Sequence, residues 1–197
     1  LKQFEAHKLE MHGKTPDIND TIKVNILNNL AYEYWNNNPD KGMEYANQSL
    51  HLAEQIGFKK GIVQASNSMG FIKGNTGDYS VGLDYCNKAL NLAKEIDDKH
   101  SIADAYCNYG IIYSMTGNYN ESLKNNFAAL KIAEEIGDTK SAVTAYCVCG
   151  NIYQMQNNYP ESLKYYFTSL KIANEINYQL YIAANFSNIG NVYSEQH

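Results

Sequence analysis

Residues 107–137 read CNYGIIYSMTGNYNESLKNNFAALKIAEEIG, and residues 147–177 read CVCGNIYQMQNNYPESLKYYFTSLKIANEIN. Laid one over the other, the two stretches keep step throughout. The same wording runs upstream through SNSMGFIKGNTGDYSVGLDYCNKALNLAKEID at 66–97, with a degenerate copy, LNNLAYEYWNNNPDKGMEYANQSLHLAEQIG, at 27–57. Gly70, Gly110, Gly150 and Gly190 mark the register at a constant spacing of 40 residues. A period of this size means that each copy is one supersecondary unit, which buries its apolar face only by stacking against its neighbours.

Each copy divides into two helices. The first carries Ile102, Ala105, Tyr106, Tyr109 and Tyr113 along one stripe at helical spacing, which marks a core face. Tyr146, Tyr153 and Tyr193 recur on the same stripe, so packing is the expected role of these rings. The column glycine lies mid-helix, at a cost of about 1 kcal/mol against alanine, and that cost points to close approach of the paired helix. Gly77-Asp78, Gly117-Asn118 and Asn157-Asn158 then end the first helix. The second begins at Tyr79, Tyr119 or Tyr159 and closes at Gly57, Asp97, Gly137 or Asn177, residue types that tolerate a left-handed backbone. In the first copy the turn is one residue shorter, and Pro39 opens the second helix, where a proline is tolerated.

The expected fold is therefore all-α: a right-handed superhelix of antiparallel helix pairs forming one repeat domain. Helices are expected at about 20–36, 40–56, 60–76, 79–96, 99–116, 119–136, 139–156, 159–176 and from 179. This makes repeats of about 20–57, 60–97, 99–137 and 139–177 and a half repeat at 179–197, within an array over 18–197. Residues 1–17 read as a short helix from Leu1 to Met11, broken at Gly13-Lys14-Thr15-Pro16, that serves as cap or linker. The final helix carries Ile182, Phe186, Ile189 and Val192 on a face that no second helix covers, which predicts end-to-end association. Trp35, near the first turn, is expected to cap the array. Tyr165, Tyr166 and Phe167 are expected to form a cluster partly on the outer side.

A net charge of −5 without a Lys/Arg cluster argues against nucleic acid as a partner. No apolar run is long enough to span a membrane, so no membrane contact is expected from this segment. The chain opens on Leu1 and reads as a piece of a longer or processed protein. The cytoplasm is favoured, with the periplasm open to it behind a signal peptide. Cys107 and Cys147 are one period apart, so they fall on successive helices whose axes lie roughly 8–10 Å apart, beyond the reach of a disulfide. All four cysteines read as small buried apolar residues. His7, His12, His51 and His100 lack metal-ligand spacing, and no nucleophile–base pair or phosphate loop recurs. No enzyme activity, metal or cofactor is expected.

The pattern Tyr106…Tyr109-Gly110…Tyr113, followed by Gly117-Asn118-Tyr119…Ser122-Leu123…Ala129-Leu130, resembles the tetratricopeptide repeat, with a period of 40 in place of the usual 34. This long variety resembles the repeats of spindle-orientation adaptors and of bacterial regulators. Its Asn/Tyr/Ile/Lys-rich wording is similar to the sensory regions of Bacteroidetes-type histidine kinases. The resemblance implies a concave groove lined by the first helices, here by Gln64, Asn67, Phe71, Asp104, Ile111, Ser114, Thr144, Asn151, Gln154, Ser187 and Asn191, with Cys107 and Cys147 beside them. None of these is basic, which disfavours the clamp that related receptors use for a terminal carboxylate. Uncharged amides suit the backbone of an extended peptide, with weak dependence on salt. The expected function is protein or peptide binding as the sensory or scaffolding part of a larger signalling protein. The alternatives are a self-assembly module, or the regulatory segment of a truncated histidine kinase, cyclase or transcription regulator.

Overall fold

The computed structural model describes residues 18–196; the expected helix or linker at 1–17 lies outside them. Nine helices and no strand occur among the described residues. They are α1 (Ile18–Tyr34), α2 (Pro39–Gln55), α3 (Lys59–Asn75), α4 (Tyr79–Glu95), α5 (Lys99–Met115), α6 (Tyr119–Ile136), α7 (Thr139–Met155), α8 (Tyr159–Glu175) and α9 (Gln179–Glu195). Each lies within two residues of its expected bounds.

The boundaries follow from local chemistry. At Gly57, Gly77, Asp97, Gly117, Gly137, Asn157 and Asn177 the backbone turns left-handed, and the helix before it ends there. Asp97 shows the closing bonds: its N–H reaches the Lys94 carbonyl at 3.3 Å, and the next N–H, of Asp98, reaches that of Ala93 at 2.9 Å. Four residues on, the next helix is capped from outside. Asp138 Oδ1 accepts the Ser141 N–H at 3.2 Å, and Asp98 Oδ1 accepts that of Ser101 at 3.3 Å. The shorter first turn has no left-handed residue and relies instead on Asn38, whose Oδ1 accepts from Lys41 N at 3.1 Å, ahead of Pro39.

The chain falls into two compact units, the first ending at Ser101 and the second beginning at Ile102. In the first, α1 packs on α2, α2 on α3 and α3 on α4, while α1 also touches α3. In the second, α6 packs on α7, α7 on α8 and α8 on α9, with α7 touching α9. Within each unit one inner helix thus meets the next inner helix, α1 with α3 and α7 with α9, as well as its own partner. Ala31, Ala46 and Met69 make a core in the first unit, flanked by Met43, Tyr45, Leu50 and Tyr85. Cys107, Ala129, Leu130, Ala133, Ala142 and Ala145 make one in the second, and Cys147, Tyr166, Leu170, Ile189 and Val192 another. Each fully buried Val, Ile or Leu stabilises its unit by about 1.5–3 kcal/mol.

The glycine column works by close approach. A Cβ on Gly70 would stand 2.7 Å from Cys86 Sγ; on Gly110, 2.6 Å from Asn126 Cγ; on Gly150, 2.6 Å from two carbons of the Tyr166 ring. Cys86, Asn126 and Tyr166 occupy one register on the paired helices, and in the first repeat the corresponding pair is Ala31 and Ala46. The side chain delivered across the column therefore grows from alanine to tyrosine along the chain. At Gly190 nothing lies within 4 Å.

On α9 the expected uncovered face is smaller than the sequence implied. Ile189 and Val192 are buried and Ile182 packs against the same core, so of the four residues Phe186 alone is exposed, at 60%. Leu180 and Tyr193 of the same helix are exposed as well, and Tyr193 is no core residue. The expected aromatic cluster on α8 also divides. Tyr165 stacks on Tyr153 with centroids 5.3 Å apart, Tyr166 is wholly buried, and Phe167 stands exposed. The helical period of about 100° per residue sends three consecutive side chains in three directions.

Candidate functional site

The expected inner-face residues separate by unit. In the first unit Asn67 is buried, and its Nδ2 donates to the Ser101 carbonyl at 3.1 Å. One repeat earlier Asn28 Nδ2 reaches the Gly61 carbonyl at 3.5 Å and Gln64 Oε1 at 3.4 Å. In the second unit Cys107 Sγ does the same to the Ser141 carbonyl at 3.6 Å. One column of side chains thus clasps the opening turn of the next inner helix, so Asn67 and Cys107 serve packing and not an open surface. Phe71 stacks on Tyr32 at 5.9 Å and meets Trp35 edge-on at 5.0 Å. Trp35 therefore packs within the first unit's inner face.

In the second unit Asp104 Oδ1 accepts from Ser141 Oγ at 3.1 Å, and Thr144 turns its hydroxyl to the Lys140 carbonyl of its own helix at 3.2 Å. Ile111 is half-buried and Ser114 buried, whereas Ser187 and Asn191 are exposed. Cys147 is buried, and Asn188 Nδ2 lies 3.8 Å from its sulfur. Burial pushes the Cys147 and Cys149 thiols up to about 12, which keeps both protonated and unreactive.

Asn151 and Gln154 are brought together by a residue absent from the expected set. Because Gly150 has no side chain, the Tyr166 ring passes across it from α8 and carries its hydroxyl to the inner side. There the hydroxyl lies 2.7 Å from Asn151 Oδ1 and 2.8 Å from Gln154 Oε1. From α9, Asn188 Nδ2 donates to Asn151 Oδ1 at 3.1 Å, and Gln154 Nε2 donates to Glu195 Oε1 at 3.0 Å. Asn151 Oδ1 is then filled from two sides, leaving its Nδ2 as a donor and Asn188 Oδ1 as an acceptor.

These groups border a cavity of about 650 Å³, lined by Asn151, Gln154, Met155, Asn157, Tyr159, Asn188 and Glu195. Of the lining, Asn151 and Gln154 were legible in the sequence from their place beside the glycine column. Asn188 and Glu195 were not, since each lies one turn away from the column on α9. Tyr166 was missed because its register on α8 belongs to the core. The cavity offers neutral amides, a phenol and one carboxylate, groups that can hydrogen-bond a peptide unit or face a cation.

The tetratricopeptide repeat profile matches residues 61–135 and 102–175, together more than half of the chain. No curated protein matches. Among solved structures, a Rap protein complexed with competence and sporulation factor superposes with a TM-score of 0.74 at 19% identity, over 91% of this chain and 53% of that one. Aspartyl phosphate phosphatase F from Bacillus subtilis gives 0.68 at 14% identity, over 83% and 43%. A signal transduction ATPase from Pyrococcus horikoshii with a tetratricopeptide repeat sensor gives 0.62 at 20%, over 86% and 27%. The chain spans about half or less of these proteins, and at such identities the likeness is one of fold. The 40-residue period, the paired helices, the glycine column and the profile agree: this chain belongs to the tetratricopeptide repeat family.

Proposed function

We propose that this chain is a protein-interaction module that binds an extended peptide segment on the inner face of its second unit, as the sensory or scaffolding part of a larger signalling protein. The observation that carries the reading is the pair left open at the cavity: Asn151 Nδ2 to donate, Asn188 Oδ1 to accept, with Asn151 held by the Tyr166 hydroxyl and Asn188 held in turn by Asn151. One peptide unit of an extended strand presents the complementary carbonyl and N–H, so recognition is independent of its side chain. Two of the structural likenesses support the context, since one is a Rap protein complexed with a factor and another carries a tetratricopeptide repeat sensor in a signal transduction ATPase. Affinity is expected on the order of micromolar, because an extended segment loses conformational freedom on docking.

The test is a peptide-array screen with the parent and the Asn151→Ala, Asn188→Ala double variant. Captured peptides should fall away in the variant, by about tenfold for two hydrogen bonds of about 1 kcal/mol each, less relaxation. Equal capture by both proteins refutes the site.

The exposed Phe186 and Tyr193, seven residues apart and so on one face of α9, favour a second reading, self-association through that face. Sedimentation velocity of the parent and Phe186→Glu decides it: a concentration-dependent dimer lost in the variant supports it, and a parent that stays monomeric at high concentration removes it.

A further inference from the structure

We infer that the cavity between α7, α8 and α9 takes a cationic side chain, lysine or arginine, of the bound segment, with Glu195 as its counter-ion. This deepens the peptide-site reading and rests on it. Of the seven residues that line the cavity, Glu195 is the sole charged one. Its Oε1 is held by the Gln154 amide at 3.0 Å, and among the described residues no Lys or Arg pairs with it. A neutral amide fixes the carboxylate in place without cancelling its charge.

The surrounding backbone reinforces the sign. Met155 is the last residue of α7 and Glu195 the last of α9, so both helices present their carbonyl ends at this cavity, and helix C-termini favour cations. The walls fit the rest of such a side chain. Met155 exposes 56% of its surface, and the Tyr159 ring stands in the same lining, anchored through its hydroxyl to Asn157 Oδ1 at 3.1 Å. A lysine or arginine stem gains apolar contact along such groups while its head remains solvated near the carboxylate. An acidic side chain or a terminal carboxylate would meet Glu195 and two negative helix ends. The cavity is thus the electrostatic inverse of a carboxylate clamp, and the weak salt dependence expected from an amide-rich lining would come from this one residue.

The experiment is a titration followed through the side-chain amide NMR signals of Asn151 and Asn188. Three capped pentapeptides serve as probes, each an alanine host with lysine, norleucine or glutamate at the centre. The lysine peptide should bind about three- to fivefold tighter than the norleucine peptide, the range of an exposed ion pair, and raised salt should close the gap. Glu195→Gln should abolish that preference without lowering the melting temperature, since the side chain is exposed, and Glu195→Lys should invert it toward glutamate. Equal affinities of the lysine and norleucine peptides, or a preference that survives Glu195→Gln, overturn the counter-ion while the peptide site stands. If none of the three peptides moves the Asn151 and Asn188 signals, the peptide site itself fails, and the counter-ion with it.

Discussion

The two units share one backbone rule and place opposite chemistry on its two sides. On the inner side of the first unit the column after the glycine position holds Tyr32 and Phe71, stacked at 5.9 Å with Trp35 edge-on. In the second unit the same column passes through Ile111 to Asn151 and Asn191, and the aromatic contact gives way to amides. At the contacts that the outer helices make with one another and with the inner helices, the assignment reverses. Lys88 of α4 pairs with Glu54 of α2 at 3.3 Å, and Lys59 with Glu95 at 2.6 Å, so charge ties the first unit together. The second unit uses rings there: Tyr165 lies 5.3 Å from Tyr153, 6.1 Å from Tyr146 and 6.4 Å from Phe127. The positions corresponding to Ser66 and Lys73 in the first unit have become Tyr146 and Tyr153. A repeat fold leaves such exchanges open, because each interface is made only with its neighbours and tolerates its own chemistry. With the rings on the outer side, the second unit's inner face carries amides.

The largest test of this contrast lies at the glycine column. Gly150→Leu should destabilise by about 3 kcal/mol through overpacking, and Gly70→Leu by at least as much. The obstacles differ. At Gly150 it is the Tyr166 ring, whereas at Gly70 the Cys86 N–H and the Gly82 carbonyl also stand within 3.2 Å. Adding Tyr166→Ala should therefore remove most of the extra cost of Gly150→Ala, whereas Cys86→Ala should rescue Gly70→Ala only in part. Urea unfolding of the two double-mutant cycles measures both, and equal rescue would erase the distinction. Gly190→Leu, facing open space, should change the unfolding midpoint little.

The outer sides come next. Tyr165→Ala should cost about 2 kcal/mol, since a half-buried ring loses three aromatic neighbours. Lys88→Ala should cost less than 1 kcal/mol, because both partners of its ion pair are about half exposed. Thermal denaturation of the two variants gives the order, and a Lys88 variant as unstable as the Tyr165 variant would invert the assignment of ring and charge.

Alkaline pH should also separate the units. Burial raises Cys86 in the first unit and Cys147 and Cys149 in the second to about 12, and Cys107 in the second well above its ordinary value. A raised folded-state value means that the thiol's contribution is complete below about pH 9, where the unfolded thiol ionises, and is lost as pH climbs from there toward 12. By pH 10 the loss is on the order of 1 kcal/mol per thiol. The second unit holds three of the four and should open first. Trp35 fluorescence reports on the first unit and the Val192 amide on the second; simultaneous loss of both signals would contradict the expectation. The smallest effect is that of salt. Raising it to 1 M should weaken the Lys88–Glu54 and Lys59–Glu95 pairs by tenths of a kcal/mol and leave the aromatic contacts unchanged. Stability of Tyr165→Ala should then become more sensitive to salt than that of the parent if charge takes over where rings are lost, and no more sensitive if the two sides are independent.

Much of this molecule was legible from one chain of letters. The helices, their ends and the close approach at Gly70, Gly110 and Gly150 follow from periodicity and from backbone preferences, which are local and act wherever they occur. The left-handed ends at Asp97, Asn157 and Asn177 show this well, since three non-glycine residues took the conformation that their short polar side chains permit. What an inner-face side chain faces is not local. Asn67 and Asn151 look alike in the sequence, yet Asn67 is buried on the Ser101 carbonyl whereas Asn151 borders an open cavity. The difference arises in residues about 34 to 37 positions away, and in a tyrosine that crosses a glycine from another helix. Local physics acts on residues within a turn of each other and so was decided by the sequence alone. The pairing of Tyr166 with Asn151, of Asn188 with Asn151 and of Gln154 with Glu195 required three helices to meet, and only the tertiary structure could bring them together.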